Sequence, residues 1–127
     1  MDIDLPDVVA EVRAAFDAYE RALVENDVAA LDAMFHDDPR TIRFGGGENL
    51  FGYGAIKAFR AARSPTGLGR TTSNLVITTY GRDVAVASIL FRRTAMAGKV
   101  GRQMQTWVRF PEGWRVVAAH VSVIPEG

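Results

Sequence analysis

The sequence predicts an α+β domain, with helices on one face of a curved, mostly antiparallel sheet. Three observations lead there. In the first third of the chain, apolar residues recur at helical spacing. From Leu68 onward, long runs rich in Thr, Val and Ile are separated by turns marked with Gly and Pro. Between these regions, the triple glycine at residues 45–47 lies between two short strand-like runs and reads as a hairpin turn.

Each element follows from its own residues. Pro6, with Asp7 and Glu11 behind it, opens a helix that carries acids near its positive end. Val8, Val12, Ala15, Phe16, Tyr19, Ala22 and Leu23 then mark one buried face. Asn26-Asp27 break this helix, and Asp27 caps a second from Val28 to Phe35. His36-Asp37-Asp38-Pro39 ends it. Residues 41–44 read as a strand and 48–51 as its return. Gly52 to Arg63 reads as a third helix, with Ile56, Phe59 and Arg60 near one face. Ser64, Pro65 and Gly67 then mark a loop. Four strands follow: Thr71–Tyr80, Val84–Thr94, Gly101–Phe110 and Trp114–Ile124. The predicted order is α-α-β-β-α-β-β-β-β.

The chain has 127 residues, the length of one domain. It contains no Cys, which excludes disulfides, thiolate zinc sites and cysteine nucleophiles. No apolar run has the length of a membrane span, and the acidic start M-D-I-D-L-P-D has no signal-peptide character. The expected protein is soluble and cytoplasmic, with no membrane partner. Formal net charge is zero but unevenly spread. Residues 1–38 hold eleven acids and two arginines, and the remainder holds four acids and thirteen bases. Thirteen of the fifteen bases are Arg, a preference that suits bidentate carboxylate binding and also suits a biased genome. There is no basic cluster or fold motif for nucleic acid.

The stretch T-I-R-F-G-G-G-E-N-L-F-G places Arg43 inside an apolar run. Thr41 and Arg43 share one strand face, and Ile42 and Phe44 the other. Arg43 therefore faces either water or a pocket. Tyr19 lies on the apolar face of the first helix, as a core tyrosine or as a group on a pocket floor. Gln103 and Gln105 alternate along their strand, either as an exposed polar face or as hydrogen-bonding groups for a urea-like carbonyl. His120, in a run of Val and Ala, reads first as a satisfied interior group. Arg70, Arg92, Arg93 and Arg102 are further anion-binding candidates, most of them expected on the surface. Glu48 and Asn49 are placed at the mouth. His36-Asp37-Asp38 lacks the second histidine of a metal-ligand pattern, so no metal site is expected. No serine has G-x-S-x-G context, and the triple glycine precedes a strand rather than a helix, unlike a phosphate loop.

The element order, with W-x6-W at Trp107 and Trp114 and the final strand W-R-V-V-A-A-H-V-S, resembles the SnoaL-like branch of the nuclear-transport-factor-2-like, or cystatin-like, superfamily. E-N-L-x-G-Y-x-A-I-x-A-F-R-A-A-R, T-T-Y-G-R-D and G-R-Q-x-Q-T-W-V-R-F-P-E-G-W resemble the AtzH-like family more closely. The resemblance implies a cone in which a bent sheet wraps the first helix around a pocket. That family includes proteins encoded with oxalurate-catabolism genes and a dicarboxyurea amidohydrolase. The resemblance implies functional roles for Tyr19 and Arg43, which match its helix tyrosine and first-strand arginine. Arg70, Gln103, Gln105, His120 and Asn49 are expected to help hold substrate.

The expected function is a cofactor-independent enzyme of nitrogen catabolism that cleaves a C–N bond in a small carboxylated urea or carbamate. The alternatives are an accessory subunit that holds an anionic intermediate for a partner amidase, and an isomerase or cyclase of the wider superfamily. The latter needs a carboxylate facing the pocket, and most acids here precede residue 39. Because the sheet runs are apolar on both faces and the helices cover one, a homodimer or dimer-built oligomer is expected.

Overall fold

A computed structural model describes all 127 residues, Met1–Gly127. Helices α1 (Pro6–Glu25) and α2 (Val28–Met34) precede a hairpin of β1 (Ile42–Phe44) and β2 (Asn49–Phe51). Helix α3 (Tyr53–Ala62) follows, then β3 (Thr71–Tyr80), β4 (Val84–Arg92), β5 (Lys99–Phe110) and β6 (Gly113–Pro125). The strand expected to reach Thr94 stops at Arg92, and Thr94–Met96 forms one 3₁₀ turn instead. The expected order of elements is otherwise observed.

The helix ends form as their residues dictate. Pro6 occupies the first turn of α1, and Asp7 adds a negative charge there. Asn26 closes α1 in the left-handed region, at φ 52°, which asparagine tolerates better than most residues. Asp27 caps α2 by accepting a hydrogen bond from the Ala30 N–H at 3.2 Å. Along α1, Val8, Val12, Phe16, Tyr19 and Leu23 are all buried on one stripe.

All six strands form one sheet in the order β2-β1-β6-β5-β4-β3. β1 runs parallel to β6, and every other pair is antiparallel. The inner face, against α1, carries Ala85, Ala87, Ile89 and Phe91 from β4, with Trp107 and Val116 from β5 and β6. Trp107 is wholly buried at its centre.

Two irregularities set which residues face inward. In β3 the register shifts between Ser73 and Val76, where Asn74 takes a left-handed φ of 58°. In β6, Val116 pairs with Trp107 and Ala118 with Thr106, so Val117 is an extra residue without a partner. This bulge reverses the alternation of β6. Trp114 and Val116 point inward before it, and Ala119, Val121 and Val123 after it. Arg43 pairs with Ala119 in register, whereas Ile42 and Phe44 pair with Ala118 and His120. The apolar pair of β1 thus lies on the outer face and its arginine faces the interior.

A candidate anion-binding active site

A cavity of about 300 Å³ opens where the curved sheet stands off from α1. Tyr19 and Leu23 of α1 supply one side, and Arg43 with the Gly46–Glu48 turn supplies another. Phe59 and Arg63 come from α3 and the residue after it. Leu68 and Arg70 from the loop before β3, Phe91, Gln103, Val121 and Val123 from the strands, and Arg93 and Met96 from the turn after β4 complete the wall. The volume sits at the small end for ligand pockets.

Four guanidiniums therefore surround one small cavity. Two have carboxylate partners. Arg43 Nη1 donates to Glu48 Oε1 at 2.8 Å, and its guanidinium lies 5.5 Å from the Phe59 ring centroid. Glu48 is held from behind by the Gly47 N–H at 3.2 Å. It fits because residue 45 is glycine: a Cβ there would stand 1.8 Å from Glu48 Oε1. Arg70 pairs with Glu20 of α1 and donates to Gln103 Oε1 at 3.0 Å.

Arg63 and Arg93 are different. Arg63 Nε and Nη2 and Arg93 Nε are buried and meet no acceptor. Burial holds both arginines below the usual guanidinium range, and the neighbouring positive charge adds to this, Arg60 for Arg63 and Arg70 for Arg93. The Phe91 ring receives two of these cations, Arg70 at 4.5 Å and Arg93 at 5.0 Å from its centroid. That ring is placed by Gly101, where a Cβ would come within 2.1 Å of it.

Tyr19 is 5% exposed and packs against Phe35 and Trp107, with both ring centroids 6.2 Å away and the Trp107 contact edge-on. Arg70 also lines an outer groove of about 450 Å³ that includes Arg13, Asp17, Glu20 and Arg21. The Arg70–Glu20 pair thus stands between that mixed-charge groove and the inner cavity.

Of the residues singled out from the sequence, Tyr19, Arg43, Arg70, Arg93 and Gln103 come together here. Gln105 does not line the cavity. It is buried one step deeper, with Oε1 accepting from Trp107 Nε1 at 3.1 Å. Asn49 is exposed on β2. His120 is exposed on the outer face, 6.2 Å from the Phe44 ring, because the Val117 bulge turns it away. Arg92 and Arg102 are on the surface, bonded to Glu126 and Ser122. Glu48 lines the cavity itself, so a carboxylate does face the pocket. Sequence reasoning missed Arg63. Its signal was the R-A-A-R spacing at the end of α3, which carries the second arginine to the helix terminus.

The sequence pattern of the AtzH-like family matches residues 1–127. The chain belongs to the AtzH-like family. A crystal structure of a protein of unknown function from Pectobacterium atrosepticum is 58% identical to this AtzH-like chain, at TM-score 0.95, covering 97% of this chain and 95% of its own. A cystatin-like fold protein from Burkholderia xenovorans is 47% identical at TM-score 0.94, covering 98% of each chain. A nuclear-transport-factor-2-like protein of unknown function from Pseudomonas putida shares the fold at 20% identity and TM-score 0.77, covering 91% of this chain and 86% of its own. No curated protein matches the chain. The AtzH-like fold here is the cone-shaped, cystatin-like α+β architecture, and no helix in it is long and apolar enough to cross a membrane.

Proposed function

We propose that this chain is a cofactor-independent cytoplasmic enzyme of ureide, oxalurate or cyanuric-acid-type nitrogen catabolism. Its substrate would be a small carboxylated urea or carbamate, and it would cleave a C–N bond. The observation that carries this reading is a cavity of about 300 Å³ lined by Tyr19, Arg43 and three further arginines. Such a lining favours a small anion and provides one proton-bearing hydroxyl.

The chemistry that fits is collapse of an N-carboxylate. The C–N bond breaks and its electron pair goes to nitrogen. Nitrogen takes the Tyr19 hydroxyl proton, carbon dioxide leaves, and the phenolate regains a proton from water. Arg43 faces the same space and offsets charge as it moves to nitrogen and to the phenolate. The Arg43–Glu48 pair holds that guanidinium in place.

Tyr19→Phe tests the proposal, because it keeps the ring and deletes one hydroxyl. Turnover of a carbamate substrate should fall by about 10²–10⁴-fold. Stability should change by no more than about 0.5–1.5 kcal/mol, the worth of one hydrogen bond. Rate and thermal melt are measured on both proteins, and unchanged turnover ends the proton-transfer role.

The presence of Glu48 on the cavity wall favours one second reading, an isomerase or cyclase that uses it as base. Its carboxylate is already engaged by the Arg43 guanidinium at 2.8 Å and by the Gly47 N–H, which turns it away from a substrate proton, so the first reading stands ahead. An accessory subunit serving a partner amidase would use the same cavity, and turnover by the purified chain alone separates the two.

A further inference from the structure

The cavity's four arginines divide into two with carboxylate partners and two without. Arg43 is matched by Glu48, and Arg70 by Glu20. Arg63 and Arg93 both carry buried N–H groups that meet no acceptor. Gln103 adds a third such group. It is 2% exposed, and its Oε1 is occupied by Arg70, which fixes the amide so that Nε2 remains a buried donor without a partner.

The protein itself shows how a structural arginine is treated. Arg60 lies three residues before Arg63, is 4% exposed, and donates to Asp32 Oδ1 at 2.6 Å. Arg63 has no such carboxylate. Both arginines are half-buried, and leaving their buried N–H groups and the Gln103 amide donor unmatched is costly to the folded chain. The cost is recovered where a ligand supplies the missing negative charge.

We propose that Arg63 and Arg93, assisted by Gln103 Nε2, are the specificity-determining residues of this cavity: each takes one carboxylate of the ligand, so the site prefers a small dianion to a monoanion of the same shape. The proposal rests on the anion-binding reading above and adds to it the residues that count the ligand's charge. Arg43, already matched by Glu48, has no part in that count.

Malonate, malonamate and malonamide have nearly the same shape and differ in charge, so they serve as probes. Their binding is measured by calorimetric titration to the full chain and to its Arg63→Gln, Arg93→Gln and Arg43→Gln variants, alongside thermal melts without ligand. The unsubstituted chain should prefer malonate to malonamate by about tenfold or more. Arg63→Gln or Arg93→Gln should reduce that preference to about threefold or less while malonamate still binds. Both variants should melt, unliganded, at or above the temperature of the original chain, because a half-buried charge with unmatched N–H donors has been removed. Arg63→Met and Arg93→Met, which keep an apolar stem, provide a second pair for the same comparison.

Full malonate preference in all four Arg63 and Arg93 variants overturns the proposal. So does a lower melting point shared by the Gln and Met variants, which makes the arginines structural. If only Arg43→Gln loses malonate, the anion site stands and this assignment falls. If the original chain binds none of the three probes, the anion reading falls and takes this proposal with it.

Discussion

At the scale of single residues, the Arg43–Glu48 pair depends on an absence. Gly45 has no Cβ, and one placed there would overlap the Glu48 carboxylate. The overlapping group is the flexible end of a side chain, so the chain can yield at little structural cost. Gly45→Ala should therefore leave the melting temperature within a few degrees, yet displace Glu48 from its 2.8 Å contact with Arg43. Freed of its partner, Arg43 should bind malonate more tightly, by about threefold or more. Titration beside Glu48→Gln checks this: the two variants should agree, and unchanged affinity in both makes the pair irrelevant to binding.

At the scale of elements, α2 and α3 are locked by one buried ion pair. Arg60 reaches Asp32 and lies 4.8 Å over the Phe35 ring, while the Tyr53 hydroxyl donates to the Asp32 carbonyl at 3.0 Å. Asp32→Ala leaves Arg60 buried and alone, so it should cost about 3–5 kcal/mol in urea unfolding. Replacing both partners, by Asp32→Leu with Arg60→Met, should recover most of that loss. A cost below about 1 kcal/mol for Asp32→Ala would make this pair no stronger than an exposed one. The elements themselves were legible in the chain, because helical spacing in α1, the Asp27 cap and the Gly- and Pro-marked turns are local signals. What was not legible depended on pairing between strands. The Val117 bulge exists only against β5, and it decides that His120 leaves the interior while Val121 enters it. The site was read in part for the same reason. Tyr19 and Arg43 were singled out through the family resemblance, spacing alone leaving each open, whereas Arg63 gained meaning only when the fold denied it a carboxylate.

At the scale of the whole molecule, the outer face of the sheet is uncovered. A row runs across it in register from Val76 through Ser88, Met104 and His120 to Phe44. Val76 is 56% exposed, Met104 54%, and Phe51 on the adjoining edge 65%. We propose that two copies pair through this face to form a homodimer. Sedimentation at micromolar concentration should show the dimer, and Met104→Glu should yield monomers that keep the native melt. A monomer in the unsubstituted chain refutes it.

The uneven charge of the chain has its own consequence. The acidic first third meets the basic remainder through Asp7–Arg82, Glu20–Arg70 and Asp32–Arg60, each joining residues far apart in sequence. The domain thus resembles a complex between two oppositely charged partners that happen to share a peptide bond. A short tether keeps such partners at millimolar effective concentration. While it is intact, added salt can weaken their attraction without parting them. A chain cut after Asp38 would lose that protection, and its two pieces would find each other readily in dilute buffer and poorly in brine.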